Sequence, residues 1–239
     1  MFQSIIHRSI ILVGLLGSLS AEIIDSIKIC AIRVSFNEDD LVSTTGSGNF
    51  LLDSEGIDCD SYTIDPAPHD KDYFESQIMA LNSYFRSVSY GKFGINIEGS
   101  VVFPSSQNGS YKLSNTMNYY NPYIENDVQE RRITELFQES IITAYKEDSI
   151  NFSSFDLVVV FHAGIGQDFS LPFLDPTPED IPSTYIDQKM ISDNLNEVGI
   201  TIGEHLIDRG IILPESQNHL LYDIAESMFG DATDPCEYQ

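Results

Sequence analysis

The spacing of apolar residues predicts alternating strands and helices from the start of the folded region. A compact apolar run from Ile27 to Phe36 is rich in Ile and Val, which indicates a buried strand. A polar loop from Asn37 to Gly48 and an irregular acidic segment through Asp72 follow. Beyond them, apolar residues three or four positions apart predict one face of a helix: Phe74, Ile78, Leu81, Phe85 and Val88.

The ends of this helix also carry sequence signals. Asp72 and Glu75 have the spacing of a capping box, and Gly91 is placed to terminate the helix. The next apolar stretch, Ile95 to Phe103, predicts a strand with Gly99 as a possible bulge.

A second helix and a second buried strand are predicted in the middle of the chain. The helix runs from about Asp127 to Tyr145, and Asp127 and Glu130 again have capping-box spacing. The stretch from Phe155 to Ala163 contains five consecutive apolar residues, as expected for a strand covered on both faces. The pattern therefore predicts helices packed on a sheet.

The remaining sequence predicts a loop, a hairpin and a short helix. Glycines and prolines between Gly164 and Pro182 indicate an extended loop, and Gly199 to Leu213 predicts a hairpin turning at 208–210. An amphipathic helix through Leu221, Ile224, Ala225 and Met228 is expected to close at Gly230. Strand, helix, strand, helix, strand is the order of an α/β fold with a mixed sheet and packed helices.

Charge narrows the range of partners. The chain carries 37 Asp and Glu against 12 Lys and Arg, a formal net charge of −25. Nucleic acids and anionic membrane surfaces would be repelled, so neither is expected as a partner. Because 42% of residues are hydrophobic, the acids predict a solvated surface on a folded body.

The first 21 residues have the pattern of a cleavable signal peptide. His7 and Arg8 precede an apolar run from Ile10 to Leu16, and small residues from Ser18 to Ala21 follow. The apolar run is far shorter than the roughly 20 residues of a membrane-spanning helix. We therefore expect a secreted protein that is free of the membrane after cleavage, with residues 22–239 forming the folded domain.

The cysteines favour no metal site. Cys30 lies inside an apolar run and is expected to be a buried thiol. Cys59 and Cys236 could pair with each other, but an odd count equally suggests a partner elsewhere. None of the three has the Cys-x-x-Cys spacing of a zinc site.

The acidic clusters and one histidine leave two interpretations open. Asp168, Asp175, Glu179 and Asp180 could offer oxygen ligands to calcium, but a solvated acidic loop is favoured because their spacing differs from an EF-hand. His162 either lies near a substrate cleft or is a satisfied histidine at a strand end, which we favour. A second group of acids could likewise offer oxygen ligands to calcium, but a solvated acidic loop is again favoured: Asp58, Asp60, Asp65, Asp70 and Asp72.

Four sequence segments, taken in order, resemble the M6 family of metallopeptidases, the immune inhibitor A group. These segments are Lys28 to Phe36, Ser87 to Lys92, Phe155 to Gly164 and Ile211 to Pro214, and the resemblance covers roughly Ile27 to Pro214. It implies a zincin-like upper lobe, extracellular cleavage of protein or peptide substrates, a zinc cofactor, and calcium as a plausible structural ion.

The zinc motif of that family is missing from this sequence. A zincin places two histidines four residues apart on one helix, with a glutamate after the first. No two of the five histidines have that spacing, and Glu204 precedes His205 in the wrong order; the five are His7, His69, His162, His205 and His219. We therefore assign no catalytic, cofactor-binding or metal-ligating residue. We expect the catalytic domain to be incomplete in this sequence, with the zinc-binding helix following Gln239.

Three functions follow from these observations. The leading hypothesis is the N-terminal portion of a secreted zinc-dependent M6-like metallopeptidase, inactive alone. The alternative is an exported, non-catalytic binding or surface protein on a degenerate zincin scaffold. An unrelated acidic calcium-binding module fits the charge but not the ordered family phrases.

Overall fold

The computed structural model describes residues 25–53, 67–122, 126–167, 175 and 177–217. These residues form ten strands and four helices in a mixed α/β arrangement, which confirms the α/β prediction. The strands are β1 Asp25–Ile27, β2 Ile29–Ser35, β3 Phe93–Ile95, β4 Val101–Phe103, β5 Tyr111–Lys112, β6 Leu157–Gly166, β7 Thr184–Ile186, β8 Ile200–Ile202, β9 His205–Ile207 and β10 Gly210–Gln217. The helices are α1 Lys71–Val88, α2 Met117–Tyr120, α3 Asn126–Asp148 and α4 Gln188–Leu195, with a 3-10 turn at Phe152–Ser154.

The main sheet is mixed. Its strand order is β4-β2-β6-β10-β7, and β5 pairs with β2 beyond the end of β4. The first four strands in this order run parallel, whereas β7 pairs antiparallel with β10 and forms one edge. The central strands are the apolar runs of the sequence, because a strand covered on both faces has no solvent-facing positions.

Helices cover the two faces of this sheet unequally. On one face, the Phe74 ring of α1 packs 4.6 Å from the Phe161 ring of β6. On the other, α3 approaches so closely that a Cβ on Gly210 would lie 2.3 Å from the Phe137 ring. Because side chains alternate along a strand, Ile211 and Leu213 face α1 whereas Gly210 and Ile212 face α3. We call these two surfaces the α1 face and the α3 face.

Two predicted strand features are wrong in detail. The stretch Ile95 to Phe103 is two strands, β3 pairing with β1 and β4 pairing with β2. Asn96 separates them, because its side chain accepts the Gly99 N–H at 2.9 Å and its carbonyl accepts the Ser100 hydroxyl at 2.7 Å. Gly99 therefore belongs to a turn and not to a bulge.

The predicted hairpin is displaced along the chain. It consists of β8 and β9, with Ile202 opposite His205. The turn lies at Gly203 and Glu204, where Gly203 adopts a φ of +60° that glycine tolerates without strain. Strand β10 begins at Gly210 and instead runs parallel to β6 in the main sheet.

The helix ends also differ from the predicted caps. The N-cap of α1 is Asp70, whose carboxylate accepts the Tyr73 N–H at 3.1 Å, so the predicted Asp72–Glu75 box is wrong by two residues. Gly91 does close the helix: at a φ of +80° it donates its N–H to Arg86 at 2.7 Å. Helix α3 begins at Asn126, so Asp127 lies inside the helix rather than before it.

Cys30 is fully buried, as predicted, and burial raises the pKa of its thiol to about 12. Several other predictions lie outside the described residues: the signal peptide, Cys59, Cys236, Asp58, Asp60, Asp65, Asp168 and the helix at 221–230. Within the described ranges, no helix is long and apolar enough to cross a membrane.

Candidate functional site at the carboxyl edge of the sheet

Buried polar side chains collect where the parallel strands end. In open α/β sheets, ligands bind outside the carboxyl ends of the strands, so this edge is the natural place to look for a site. Strands β2, β6 and β10 all end there, and the buried Glu215, near the end of β10, contacts the buried His69. We call this region the carboxyl edge.

The Glu215 carboxylate is held by three protein donors. His69 Nδ1 lies 2.7 Å from Oε1, which also accepts the Leu51 N–H at 3.0 Å. The other oxygen, Oε2, accepts the Gly164 N–H at 2.8 Å. A buried carboxylate is tolerated only when its oxygens are hydrogen-bonded, and both oxygens of Glu215 are. Glu215 therefore connects β10 to three other positions in the chain, Leu51, His69 and Gly164.

Local backbone geometry aims these groups at each other. The pairing of β10 with β6 shifts register between Pro214 and Ser216, so Glu215 lies at an irregularity in the strand. Gly164 has a φ of +90°, and a Cβ there would lie 2.4 Å from the Met117 side chain. Only glycine therefore lets this N–H turn toward Glu215 without a clash.

Tyr73 of α1 fixes the orientation of the histidine. Its ring stacks on the His69 ring with centroids 4.3 Å apart, and its hydroxyl donates to the Glu215 backbone carbonyl at 2.9 Å. The His69 N–H donates to the Leu51 carbonyl at 2.7 Å. These contacts hold the ring nitrogen against the carboxylate, which restricts the mobility of both side chains.

A second buried carboxyl lies at the same edge. Asp180 is 1% exposed and accepts the N–H and the hydroxyl of Thr45, both at 2.6 Å. Burial raises the pKa of Asp180 to about 6, because the hydrogen bonds from Thr45 offset only part of the cost of desolvation. The Asp180 carbonyl also accepts from Asn121 Nδ2 at 2.5 Å. We call these three residues the Asp180 cluster.

Arg33 is a buried cation on β2. Its guanidinium donates to the carbonyls of Gln107 at 2.8 Å, Pro104 at 2.9 Å and Ser106 at 2.6 Å. Burial lowers the pKa of Arg33 from its ordinary value, and the charge of Asp70 partly opposes this effect. The side chain thus anchors the loop between β4 and β5 to the sheet.

The histidines do not converge on one point. His69 lies on the α1 face with Glu215, whereas His162 shares the α3 face with Val158 and Val160 by strand alternation. His205 begins β9, outside the main sheet. Among the residues described, no three His, Cys, Asp or Glu side chains lie close enough together to hold a metal ion.

The candidates raised by the sequence have mixed outcomes. His162 is buried, with Nδ1 2.9 Å from the Ala163 carbonyl, but it lies four residues before the end of β6 rather than at the strand terminus. Asp180 is buried, so the prediction of a solvated loop is wrong for it, whereas Asp175 and Glu179 are half-buried. Asp70 caps a helix and Asp72 is exposed.

The sequence does not predict the pairing of Glu215 with His69. The two residues are 146 positions apart, so no local pattern connects them. One signal was available: Glu215 follows the apolar run Ile211 to Leu213 directly after a proline. A charged residue at the end of a buried strand requires a partner.

Comparison with known proteins adds no relative. No protein-family model matches the chain, and neither a curated protein nor a solved structure is significantly similar to it. The class defined by the structure is therefore a mixed α/β domain with a buried polar carboxyl edge.

Proposed function

We propose that the chain is the N-terminal portion of a secreted M6-like zinc metallopeptidase that hydrolyses peptide bonds as an intact protein. The zincin-like upper lobe belongs to the same proposal, because the resemblance of the sequence phrases implies it. In this proposal the described sheet supports the substrate cleft, while the zinc ligands come from outside these 239 residues, which contain no His-Glu-x-x-His sequence.

The observation that carries the proposal is the antiparallel edge strand beside a parallel sheet. Strand β7 pairs with β10 on one side, and within the described ranges no strand pairs with its other side. Its Tyr185 side chain is 57% exposed. An extended peptide can add to such an edge through main-chain hydrogen bonds, which would hold a scissile bond in a fixed register.

The first test concerns the 239-residue chain itself. After dialysis the purified chain is expected to hold no stoichiometric zinc and to leave casein intact, because it has no His-Glu-x-x-His sequence. Metal analysis and a casein assay with added zinc, with and without a chelator, measure both properties. Zinc-dependent cleavage by this chain would contradict its proposed inactivity.

The second test uses the native protein. An antibody against this chain would isolate it from culture medium, and we expect about one zinc ion per molecule and casein cleavage that a chelator abolishes. A native protein from which both zinc and cleavage are absent would overturn the peptidase proposal. Retention of the protein inside the cell would overturn the secreted part.

One observation favours a second candidate, the exported non-catalytic binding or surface protein. Both Glu215 oxygens are already occupied by His69, Leu51 and Gly164, so this part of the carboxyl edge is stabilised without a ligand. A native protein that is exported but lacks zinc and proteolysis would support this function instead.

A further inference from the structure

An apolar groove of about 570 Å³ runs along the α1 face of the sheet. It lies between α1 and the surface of β6 and β10. Its walls include Ile78 and Leu81 from the helix and Leu157, Ile211 and Leu213 from the strands. Apolar surface of this extent on a folded protein marks a place where something else binds.

The two faces of the same strands differ in how well they are covered. On the α3 face, Val160 and Ile212 have no exposed surface. On the α1 face, Leu157, Ile211 and Leu213 are only half-buried. Since adjacent residues in each strand have similar hydrophobicity, the difference reflects what covers them rather than their own chemistry.

The apolar face of helix α1 is also only partly covered. Periodicity places five apolar residues on one face, and Phe74 and Ile78 are buried as expected. Yet Leu81 is 39% exposed and Val88 is 54% exposed. The apolar stripe of α1 thus extends farther than the covering that the described residues supply.

We propose that residues 218–230 of this chain dock in the groove as an amphipathic helix. Pro214, Glu215 and Ser216 line the groove, and the chain reaches residue 218 directly after them. Leu221, Ile224, Ala225 and Met228 are spaced to form one apolar face, with Asp223 and Glu226 on the opposite side. The segment continues from the groove and carries a matching apolar face.

Its length also fits. Thirteen residues of helix span about 20 Å, which is comparable to the roughly 27 Å of the 18-residue α1 beside which they would lie. With four apolar side chains on the sheet and the acids turned to solvent, the docked helix would cover Leu81, Ile211 and Leu213. The inference requires neither zinc nor proteolysis, so it stands apart from the proposed function.

Photo-crosslinking in the full chain tests this docking. The variant Leu81→p-benzoylphenylalanine places the probe at the groove, and Tyr145→p-benzoylphenylalanine on α3 is its control with a similar exposed fraction, 40% against 39%. After irradiation, a protease that cuts after glutamate releases the peptide Ser216–Glu226, which keeps only the last two residues of β10. We expect the Leu81 probe, but not the Tyr145 probe, to link to 218–230 within one chain.

A matched pair of substitutions examines the predicted face. Adding Ile224→Asp is expected to reduce the cross-link yield at least about fivefold, because a buried carboxylate is costly. Ser227→Asp adds the same charge on the flank of the helix, outside the apolar face, and is expected to leave the yield unchanged. Circular dichroism monitors folding of each variant.

Three results would overturn the proposal. Links only between two chains would identify a second copy as the occupant of the groove. Links confined to residues 25–217 would mean that the segment lies elsewhere. An unlinked probe in a folded chain would indicate an open groove, as a site for a small apolar ligand requires.

Discussion

Replacing Glu215 by glutamine is expected to lower the free energy of unfolding by about 3 kcal/mol. The carboxylate accepts from Leu51 N–H and His69 Nδ1 through one oxygen and from Gly164 N–H through the other. Glutamine keeps only one acceptor, and its NH₂ group must face a donor. The variant therefore leaves a donor of the protein without its acceptor in a region shielded from water.

Urea unfolding at neutral pH measures this loss. Glu98→Gln is the matched control, because Glu98 is exposed and the same change there is expected to alter stability by less than about 0.5 kcal/mol. An equal denaturant dependence in both variants would show that the compactness of the two states is unchanged. If Glu215→Gln lowers the free energy of unfolding as little as the control does, the Glu215–His69 pair does not stabilise the carboxyl edge.

Asp180→Asn is expected to remove a pH dependence of stability worth about 3 kcal/mol. Burial raises the pKa of Asp180 from 3.8 to about 6 in the folded protein. Between these two values the folded state binds a proton that the unfolded state has lost. The stabilisation is therefore fully present below about pH 4 and is lost as the pH rises to about 6.

The measurement is the difference in unfolding free energy between wild type and variant, taken from pH 4 to pH 7. This difference cancels the general repulsion of a chain with net charge −25, which acts on both proteins. Asp40→Asn removes the same charge from an exposed position near Thr45 and serves as the control. A constant difference between wild type and Asp180→Asn across this range would contradict the buried position of the carboxyl.

The long apolar runs could be predicted from the sequence because they need no information about their partners. Strands β2 and β6 and helices α1 and α3 follow from such patterns. The short elements depend on contacts instead. Strands β3 and β4 separate because Asn96 bonds the turn between them, and β7 exists because Thr184 to Ile186 pair with β10.

The candidate site was harder to predict for the same physical reason. Asp180 is separated by 135 residues from Thr45, and an acidic, proline-containing stretch by itself indicates solvent exposure. The Asp180 carboxylate is bonded by Thr45, which lies in the loop after β2, so its burial depends on a distant part of the chain. Glu215 and His69 present the same problem, since each is an isolated polar residue until the fold brings them together.

The order of strands in the sheet also determines when the fold can form. Strand β2 is near the beginning of the chain, but it pairs with β4 and with the distant β6. Strand β6 in turn pairs with β10, which is formed by Gly210–Gln217. Parallel pairing over such sequence separations requires closing large loops before any strand contact is gained, which slows folding. During synthesis, therefore, the first 150 residues cannot form the complete main sheet, and we expect cooperative folding of this sheet only after β10, which ends at Gln217, has emerged.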